Sequence, residues 1–442
     1  MKVSRYNNYL IDNDYLFIFN SSFNSAVCIS DKKLMELALK WEPDSLIDED
    51  LYDANFIQAM CSQGILLDSK RNETDYVNYL YYKTLRSTTL NIILIVTRNC
   101  NFACPYCYEE HEEKQMSIEI MDGIISFIQS KTKEGYKTLE IGWFGGEPLI
   151  EYTKIVSFMR KVKSTFPELT IKGSMTTNGY LLTQERLNEL CELSINRYQI
   201  TIDGLENTHN KTRILRNGLG TWNTIIGNLL AAKETKHDFS IMLRTNFSEE
   251  IAVSSSEWIK YIAQTFGNDS RFSFHFEAIK NLGKPSEYAF FPEKNTSKLF
   301  QEMGEISLKN DISLPMINQT MIPMGMICYA ANPHSFVIDY DGTIKKCTVA
   351  LDDGKNIIGK IGNHGLLHFD VLNYSWWVNY DPYEECKSCS IYPICIGKKC
   401  PNGYLSHHGC ETIKAAYTIG MKKYIKAYLK QKRDKLENDN EF

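Results

Sequence analysis

Residues 91–107 read NIILIVTRNCNFACPYC and join an apolar run to a loop that holds three cysteines. The run at 91–97 is typical of a strand that is buried on both faces. Cys100, Cys104 and Cys107 follow with C-x3-C-x2-C spacing, so three thiolates on one short loop can face one iron–sulfur cluster. Three protein ligands leave one iron of a [4Fe-4S] cluster open to a molecule that binds through its amine and carboxylate. A zinc site that lacks a fourth ligand and a set of three buried thiols are the alternatives.

Short apolar runs continue downstream of this loop and alternate with helical patterns. Further strands are predicted at 139–144, 169–175, 197–202, 239–245 and 271–278, and helices near 117–132, 151–164, 183–193, 221–235 and 254–266. This alternation predicts an α/β fold with a parallel sheet of six βα units. In barrels of parallel strands, the reactive groups collect at the carboxyl ends of the strands.

Each predicted strand ends in polar residues. The ends carry Gly145-Gly146-Glu147-Pro148, Thr176-Thr177-Asn178, Asp203, Arg244 and, on the last strand, His275 and Glu277. Parallel strands bring these ends to one rim, so we expect the residues to surround the cysteine loop. Packing or a satisfied hydrogen bond is the simpler interpretation of His275 and Glu277.

The composition is that of a globular protein of 442 residues, with 43% apolar and 23% charged residues. This length predicts two or three domains. The 49 basic and 54 acidic residues nearly balance, which argues against a nucleic-acid partner. The amino terminus lacks the apolar core of a secretion signal, and no run is long enough to span a membrane. A cytoplasmic location without a membrane partner is expected.

Thirteen cysteines are present, and because a reducing cytoplasm disfavours structural disulfides, they indicate metal binding or catalysis. Cys28, Cys61 and Cys191 are isolated and are expected to be small buried apolar residues. A second group occupies the C-terminal part of the chain and consists of Cys328, Cys347, Cys386, Cys389, Cys395, Cys400 and Cys410. A zinc site that uses part of this group with His407 or His408 is one interpretation of it.

The cysteine spacing at 100–107 and the GGEP sequence at 145–148 resemble the radical S-adenosylmethionine (radical SAM) superfamily, in which this cysteine spacing follows the first strand of a partial (β/α)6 barrel. The resemblance implies that Cys100, Cys104 and Cys107 hold a [4Fe-4S] cluster at which S-adenosylmethionine is cleaved. It also implies contacts to the nucleoside, with Tyr106 near the adenine, Gly145, Gly146 and Glu147 near the methionine amine, Thr176, Thr177 and Asn178 near the ribose, and Arg244 at the methionine carboxylate. Residues matching His209 and Arg213 often brace the loop after Asp203 in this family.

The second cysteine group resembles the SPASM extension, in which seven cysteines hold two auxiliary [4Fe-4S] clusters, for three clusters in all. By position, the inner auxiliary cluster would use Cys328, Cys347 and Cys400. The outer cluster would use Cys386, Cys389, Cys395 and Cys410. The chain departs from the family in the x4 spacing before Cys400, where x3 is usual. It also lacks the upstream cysteine of sulfatase-maturing relatives, which would leave the inner cluster with an open iron.

The amino-terminal residues resemble the winged-helix recognition element of ribosomal peptide maturases. The strands YLFIF (15–19) and SAVCIS (25–30), the helices after them and Gly64-Ile-Leu-Leu carry this resemblance. It implies that a leader peptide adds as a further strand to an exposed sheet edge, whereas a cap on the barrel is the alternative. The expected domains are the recognition element at 1–75, a linker at 76–90, the barrel at 91–310, the SPASM region at 311–415 and a C-terminal helix and tail at 416–442.

Together these resemblances imply a radical SAM enzyme that modifies a ribosomally made, leader-bearing precursor peptide by forming a thioether or a carbon-linked crosslink. An external donor such as flavodoxin or ferredoxin would supply the electron. Sulfatase maturation, in which a cysteine or serine becomes formylglycine, is the alternative enzyme function. A non-catalytic, metal-dependent peptide-binding or sensor protein is the alternative from another class.

Overall fold

The structure, a computed structural model, describes residues 1–279, 293–379, 384–397, 400 and 408–439. The amino-terminal elements are β1 (Lys2–Val3), β2 (Asn7–Asp12), β3 (Tyr15–Asn20), β4 (Ser25–Ile29), α1 (Lys32–Ala38), α2 (Ala54–Ser62), β5 (Leu66–Leu67) and α3 (Glu73–Leu85). The central elements are β6 (Thr89–Thr97), α4 (Ile118–Lys133), β7 (Thr138–Gly145), α5 (Tyr152–Thr165), β8 (Thr170–Thr177), α6 (Gln184–Glu192), β9 (Ile195–Thr201), α7 (Glu206–Thr212), α8 (Trp222–Lys233), β10 (Ser240–Phe247), α9 (Glu249–Val253), α10 (Ser255–Phe266), β11 (Phe272–Ala278) and α11 (Glu293–Lys309). The C-terminal elements are α12 (Pro315–Thr320), β12 (Ser335–Ile338), β13 (Thr343–Lys345), β14 (Ile357–Gly362), β15 (Gly365–Phe369), α13 (Val371–Val378), α14 (Glu384–Lys387), α15 (Tyr392–Cys395) and α16 (His408–Asp439). Short 3-10 helices lie at Glu49–Leu51, Pro148–Glu151, Tyr329–Ala331 and Gly354–Asn356.

Contacts between residues divide the chain into two units. The terminal unit comprises Met1–Arg86, Met316–Cys328 and Tyr380–Phe442, and the sheet unit comprises Ser87–Pro315 and Tyr329–Asn379. The segment predicted as the SPASM region is thus shared between the two units, and the predicted linker lies partly in α3. The predicted domain boundaries stay predictions.

The sheet unit is built on one sheet with the strand order β11-β10-β9-β8-β7-β6-β12-β13-β14-β15. Neighbouring strands from β6 to β11 pair in parallel, and helices α4 to α10 connect them in βα order. β12 also pairs in parallel with β6, whereas β13, β14 and β15 continue the sheet antiparallel. The prediction of an α/β fold on parallel strands in (β/α)6 order is confirmed.

Strand β7 shows why these segments form strands with two different faces. Leu139, Ile141 and Trp143 alternate along it and are buried, and the Trp143 ring packs edge-on against Phe158 of α5 at 5.6 Å between centroids. The residues between them point to the opposite face and are partly accessible. One face of the sheet therefore packs against helices, and the other is left for the site.

Helix α4 begins and ends where its sequence predicts. The Ser117 side chain accepts the backbone N–H of Ile120 at the start, which satisfies one of the free amides of the first turn. Glu119 lies in that turn and Lys131 and Lys133 in the last, so the charges complement the helix dipole.

In the terminal unit, β2, β3 and β4 form an antiparallel sheet with β3 in the middle. Because side chains alternate along a strand, β3 buries both of its faces. Leu16 and Ile18 belong to a core with residues of α1 and α2. Phe17 and Phe19 belong to another core, with residues of α16. No helix in the described ranges is both long and apolar enough to cross a membrane.

Candidate active site

The three cysteines of the first group lie on the loop that follows β6, at the carboxyl end of the parallel strands. Cys100 is buried, and Cys104 and Cys107 are half-buried. The Cys107 backbone N–H donates to the Cys104 carbonyl oxygen at 3.1 Å, and the Phe102 N–H donates to the Cys100 Sγ at 3.4 Å. Burial raises the pKa of the Cys100 and Cys107 thiols to about 12 and also raises that of Cys104.

Soft sulfur donors grouped on one sheltered loop, one of them already accepting a backbone N–H, fit an iron–sulfur cluster. Across the part of the chain that the structure describes, no three His, Cys, Asp or Glu side chains converge tightly enough for a single metal ion. The role of these cysteines as cluster ligands stays a prediction.

Gly145 ends β7 and Gly146 follows it, and both pack against the backbone that leads into the cysteine loop. Gly145 has a φ of 113°, and a Cβ there would lie 2.2 Å from the Thr97 carbonyl oxygen. At Gly146, a Cβ would lie 2.3 Å from the Asn99 carbonyl oxygen. The Gly146 N–H donates to Thr97 O at 3.1 Å, and the Glu147 N–H donates to Asn99 O at 2.8 Å. Both glycines are needed because the backbone that leads into Cys100 fills the space of their side chains.

Glu147 ties the ends of β7 and β8 together. Its fully buried carboxylate accepts the Thr177 hydroxyl at 2.7 Å, the Asn178 N–H at 2.7 Å and the Leu149 N–H at 3.0 Å. Burial raises the pKa of Glu147, and these three hydrogen bonds oppose that rise. The structure therefore shows a bracing role for this carboxylate, and its predicted contact to the methionine amine stays a prediction.

The predicted ribose segment at the end of β8 reaches the cysteine loop. The Asn178 side-chain amide donates to Asn101 Oδ1 at 2.8 Å, and its own Oδ1 accepts the Tyr180 N–H at 3.0 Å. Thr177 is buried against Glu147, whereas Thr176 is half-buried on the opposite face of β8. Asn101 was not identified from the sequence, although its place beside Cys100 was a signal.

Tyr106 anchors the cysteine loop to the end of β9. Its hydroxyl donates to the Asp203 carboxylate and accepts from Arg213 Nη1 at 3.1 Å. Asp203 also accepts the Thr212 hydroxyl at 3.2 Å and the Asn246 N–H at 3.0 Å. The sequence prediction placed Tyr106 near the adenine. The structure shows that its hydroxyl belongs to this buried network.

His209 is held in one tautomer beneath this network. Its Nδ1 accepts the Asp203 backbone N–H at 3.2 Å. The Thr221 hydroxyl donates to the Arg213 carbonyl oxygen at 2.5 Å, so it must accept from His209 Nε2, which lies 3.0 Å away. The imidazole is therefore neutral and protonated at Nε2. Burial and then the nearby Arg213 charge hold the pKa of His209 well below its ordinary value of 6.5.

This burial makes stability depend on pH. As the pH falls through 6.5, the His209 imidazole takes up a proton in the unfolded chain but not in the folded chain. The contribution of His209 to the free energy of unfolding is therefore fully present above this pH and is lost below it. We expect His209 to lower the free energy of unfolding by roughly 1 kcal/mol between pH 7.5 and pH 5.5. Urea unfolding followed by tryptophan fluorescence at both pH values measures this loss. His209→Asn should lose less over the same interval, and an equal loss in both proteins would contradict the assignment.

Arg244 lies on β10 beside His275 of β11. Its Nε donates to Asn246 Oδ1 at 2.7 Å, and within the described residues no carboxylate forms an ion pair with it. His275 Nε2 lies 3.4 Å from Glu277 Oε2, as expected of a satisfied pair. The predicted contact of Arg244 with a methionine carboxylate stays a prediction.

A buried group of three charges, which the sequence did not reveal, joins the cysteine loop to the β12–β13 hairpin. The Asp339 carboxylate binds Arg98 Nη2 at 2.5 Å and Lys345 Nζ at 2.6 Å. Burial alone would raise the pKa of Asp339, but the two cations hold it below its ordinary value. Arg98 precedes Cys100 and Lys345 precedes Cys347, so the pairing links two segments that carry predicted cluster ligands.

The buried Asn356 side chain clamps the turn at Cys347. Its Oδ1 accepts the backbone N–H groups of Lys346 and Cys347 at 2.9 and 2.8 Å. Its Nδ2 donates to the carbonyl oxygens of Cys347 and Ala350, both at 2.8 Å. The Val349 N–H donates to Cys347 Sγ at 3.3 Å. Cys347 is thus presented in a fixed position, again with a backbone donor on its sulfur.

The four cysteines of the predicted outer cluster all lie in the terminal unit, and their role as cluster ligands stays a prediction. Burial raises the pKa of Cys395 to about 11, and the Cys389, Cys410 and Cys386 thiols are close enough to add to this rise. The predicted inner set is divided, because Cys328 and Cys400 belong to the terminal unit and Cys347 to the sheet unit. Residues 401–407, including His407, lie outside the described residues, as does the side chain of His408. Cys28, Cys61 and Cys191 are half-buried.

Comparison with known proteins finds similar sequences and folds. Residues 94–252 match the model of the radical SAM superfamily. The chain is 22% identical over 369 residues to the cysteine-type anaerobic sulfatase-maturating enzyme of Clostridium novyi (strain NT), a match that covers 75% of this chain and 95% of that enzyme.

Two solved structures share the fold. Native anSMEcpe with bound AdoMet and Cp18Cys peptide superposes with a TM-score of 0.61 at 17% identity, covering 77% of this chain and 98% of its own. Streptococcus suis SuiB superposes with a TM-score of 0.50 at 13% identity, covering 91% of this chain and 96% of its own. The chain therefore carries a radical SAM domain at residues 94–252, and its sequence is similar to that of the sulfatase-maturating enzyme over 75% of its length.

Proposed function

We propose that this enzyme uses Cys100, Cys104 and Cys107 to hold a [4Fe-4S] cluster and modifies a ribosomally made precursor peptide. The observation that carries the proposal is the loop itself, whose three thiols are gathered at the carboxyl end of the parallel strands. Gly146 packs under this loop and Tyr106 ties it to Asp203, so contacts within the chain hold the shape of the loop. Such a cluster, when bound, supplies the electron that cleaves S-adenosylmethionine and so starts hydrogen abstraction from the substrate.

The terminal unit supports a peptide as the substrate. In the described part of this unit, β4 pairs with β3 and has no second strand partner. Beside β4 lies a groove of about 380 Å³, lined by aromatic, neutral polar and apolar aliphatic side chains that include Phe19, Phe23, Ala26, Gln63, Tyr417 and Tyr424. An extended peptide fits an open strand edge with a groove beside it, because its main chain can pair while its side chains fill the groove.

The second cysteine group supports a reaction that removes an electron from the substrate. We assign the outer auxiliary cluster to Cys386, Cys389, Cys395 and Cys410, and the inner one to Cys328, Cys347 and Cys400. An auxiliary cluster would accept the electron left after hydrogen abstraction or hold a substrate thiolate, so a thioether or carbon-linked crosslink is the proposed product. Flavodoxin or ferredoxin is the proposed external donor.

Sulfatase maturation is a second candidate, because the sequence match to the sulfatase-maturating enzyme of Clostridium novyi covers 75% of this chain. One experiment separates the two functions. The full chain, reconstituted anaerobically with iron and sulfide and reduced with dithionite, is given a cysteine-containing sulfatase peptide or the product of a short reading frame beside its gene. With the peptide encoded beside its gene, we expect the enzyme to form 5′-deoxyadenosine and the peptide to lose two hydrogens per crosslink. An aldehyde on the sulfatase peptide would establish sulfatase maturation instead, and no 5′-deoxyadenosine with any peptide would contradict both.

The groove makes a second prediction, for the leader segment. Gln63 is exposed and lines the groove, so Gln63→Arg should obstruct it and weaken leader binding by at least about tenfold, or about 1.4 kcal/mol. Gln58→Arg is the matched control, because Gln58 is equally exposed on α2 but does not line the groove. Fluorescence anisotropy of a labelled leader peptide measures both affinities. Equal affinities for the two variants would argue for a cap on the barrel.

A further inference from the structure

Arg213 places a buried positive charge beside the cysteine loop. The residue is only 8% exposed, and its guanidinium lies over the Phe102 ring, 5.4 Å from the centroid. Nη1 donates to the Tyr106 hydroxyl at 3.1 Å. Phe102 and Tyr106 both belong to the loop between Cys100 and Cys107, so the charge contacts that loop at two points.

Hydrogen bonds of its backbone hold Arg213 in place. The Arg213 N–H donates to the His209 carbonyl oxygen at 2.8 Å, and the Arg213 carbonyl oxygen accepts the Thr221 hydroxyl at 2.5 Å. Nε is buried and has no hydrogen-bond partner among the described residues. Asp203, the carboxylate of this network, is joined to Arg213 through the Tyr106 hydroxyl. The charge is therefore rigidly placed and is only indirectly bonded to the anion that balances it.

The charge lies against the loop that carries the predicted ligands, 5.4 Å from the centroid of the Phe102 ring and hydrogen-bonded to Tyr106. A buried positive charge favours any negative charge placed near it. One-electron reduction makes an iron–sulfur cluster more negative by one charge, and charge and burial around a cluster help to set its potential. In a buried site of low dielectric such an interaction is strong.

We propose that Arg213 is a positioning residue that raises the reduction potential of the cluster held by Cys100, Cys104 and Cys107, and that Asp203 opposes it across the Tyr106 hydroxyl. The inference rests on the proposed function, because it requires the cluster. The electron comes from the external donor and stays on the cluster until S-adenosylmethionine accepts it. Arg213 and Asp203 together would keep the reduction potential of the cluster in the range in which the external donor can reduce it.

The test is a redox titration of the reconstituted full chain, followed by electron paramagnetic resonance of the cluster signal that changes when S-adenosylmethionine is added. Arg213→Gln should lower the reduced-to-oxidised ratio about tenfold at the wild-type midpoint, a shift of about 59 mV for one electron. Arg213→Lys should keep a value near wild type. Asp203→Asn should shift the midpoint in the opposite direction. Arg271→Gln is the control, because Arg271 is paired with Asp269 and precedes β11 at the other end of the strands.

Opposite shifts distinguish a charge effect from damage to the loop, which would reduce cluster content in both variants without opposite changes in potential. An unshifted midpoint in Arg213→Gln, or shifts of the same sign in both variants, would overturn the inference. If Arg213→Gln retains too little iron to titrate, an absent upward shift in Asp203→Asn overturns it alone. A wild-type protein without any signal that responds to S-adenosylmethionine would overturn the proposed function itself.

Discussion

Replacing Cys104 with alanine is expected to lower 5′-deoxyadenosine formation by more than about 100-fold. Changes in the outer partners of a metal ligand already cost 10–100-fold in metal affinity or activity, and loss of the ligand itself should exceed them. Cys104 lies between the other two cysteines of the loop and is half-buried beside Tyr106, and alanine cannot donate a thiolate in its place. The measurement is chromatographic quantification of 5′-deoxyadenosine, together with iron per chain.

Cys191→Ala provides the matched control. Cys191 is also half-buried and belongs to the sheet unit, but it lies in α6 and outside both cysteine groups. Burial raises its pKa to about 11, as expected of a cysteine that packs as a small apolar residue. This variant should retain iron and activity. Equal activity in the Cys104 and Cys191 variants would refute the assignment of the cluster to this loop.

The substitution Gly146→Ala should prevent most of the protein molecules from binding a cluster at this loop. Its Cβ would lie 2.3 Å from the Asn99 carbonyl oxygen and 3.0 Å from that of Arg98, and both are backbone atoms. The loop must move away, which also breaks the hydrogen bond from the Glu147 N–H to Asn99. Overpacking of this kind typically costs about 1–3 kcal/mol. Iron and sulfide per chain after reconstitution, with the midpoint of urea unfolding, measure the two effects.

Gly227→Ala makes the same chemical change where the structure has room. Gly227 lies within α8, and a Cβ there meets no heavy atom within 4 Å. Alanine is a better helix former, so this variant should be more stable by about 0.5–1 kcal/mol and should load iron normally. A Gly146 variant that loads as much iron as the Gly227 variant would show that the loop tolerates displacement.

The strands and the first cysteine loop could be predicted because each depends on residues that are adjacent in the chain. The run at 91–97 became β6, and the later runs became β7 to β11 within one or two residues of the predicted bounds. Apolar runs and glycine motifs reflect the structure of their own segment, which periodicity detects. The cysteine spacing is local in the same way, since all three thiols lie on eight consecutive residues, 100–107.

Other features depended on contacts between distant segments. The pairing of Arg98 with Asp339 joins residues that are 241 positions apart, and no local pattern around either residue predicts it. In the sequence, Asn356 resembles any turn residue. Only the structure shows that its side-chain amide accepts the Cys347 backbone N–H and donates to the Cys347 carbonyl oxygen. The glycines of GGEP were singled out for a contact to the methionine amine, which stays a prediction. Only the structure shows that the carbonyl oxygens of residues 97–99 leave no room for a side chain at these glycines.

The loop at 100–107 thus shows what each level of structure contributes. The sequence by itself determined the ligand types, their spacing and the strand that carries them, because these depend on residues next to one another in the chain. Only the tertiary structure decided that Tyr106 joins Asp203 and Arg213, and that His209 is neutral. The physical reason is that hydrogen bonds, burial and buried charge act between groups close in space, and folding alone sets those distances.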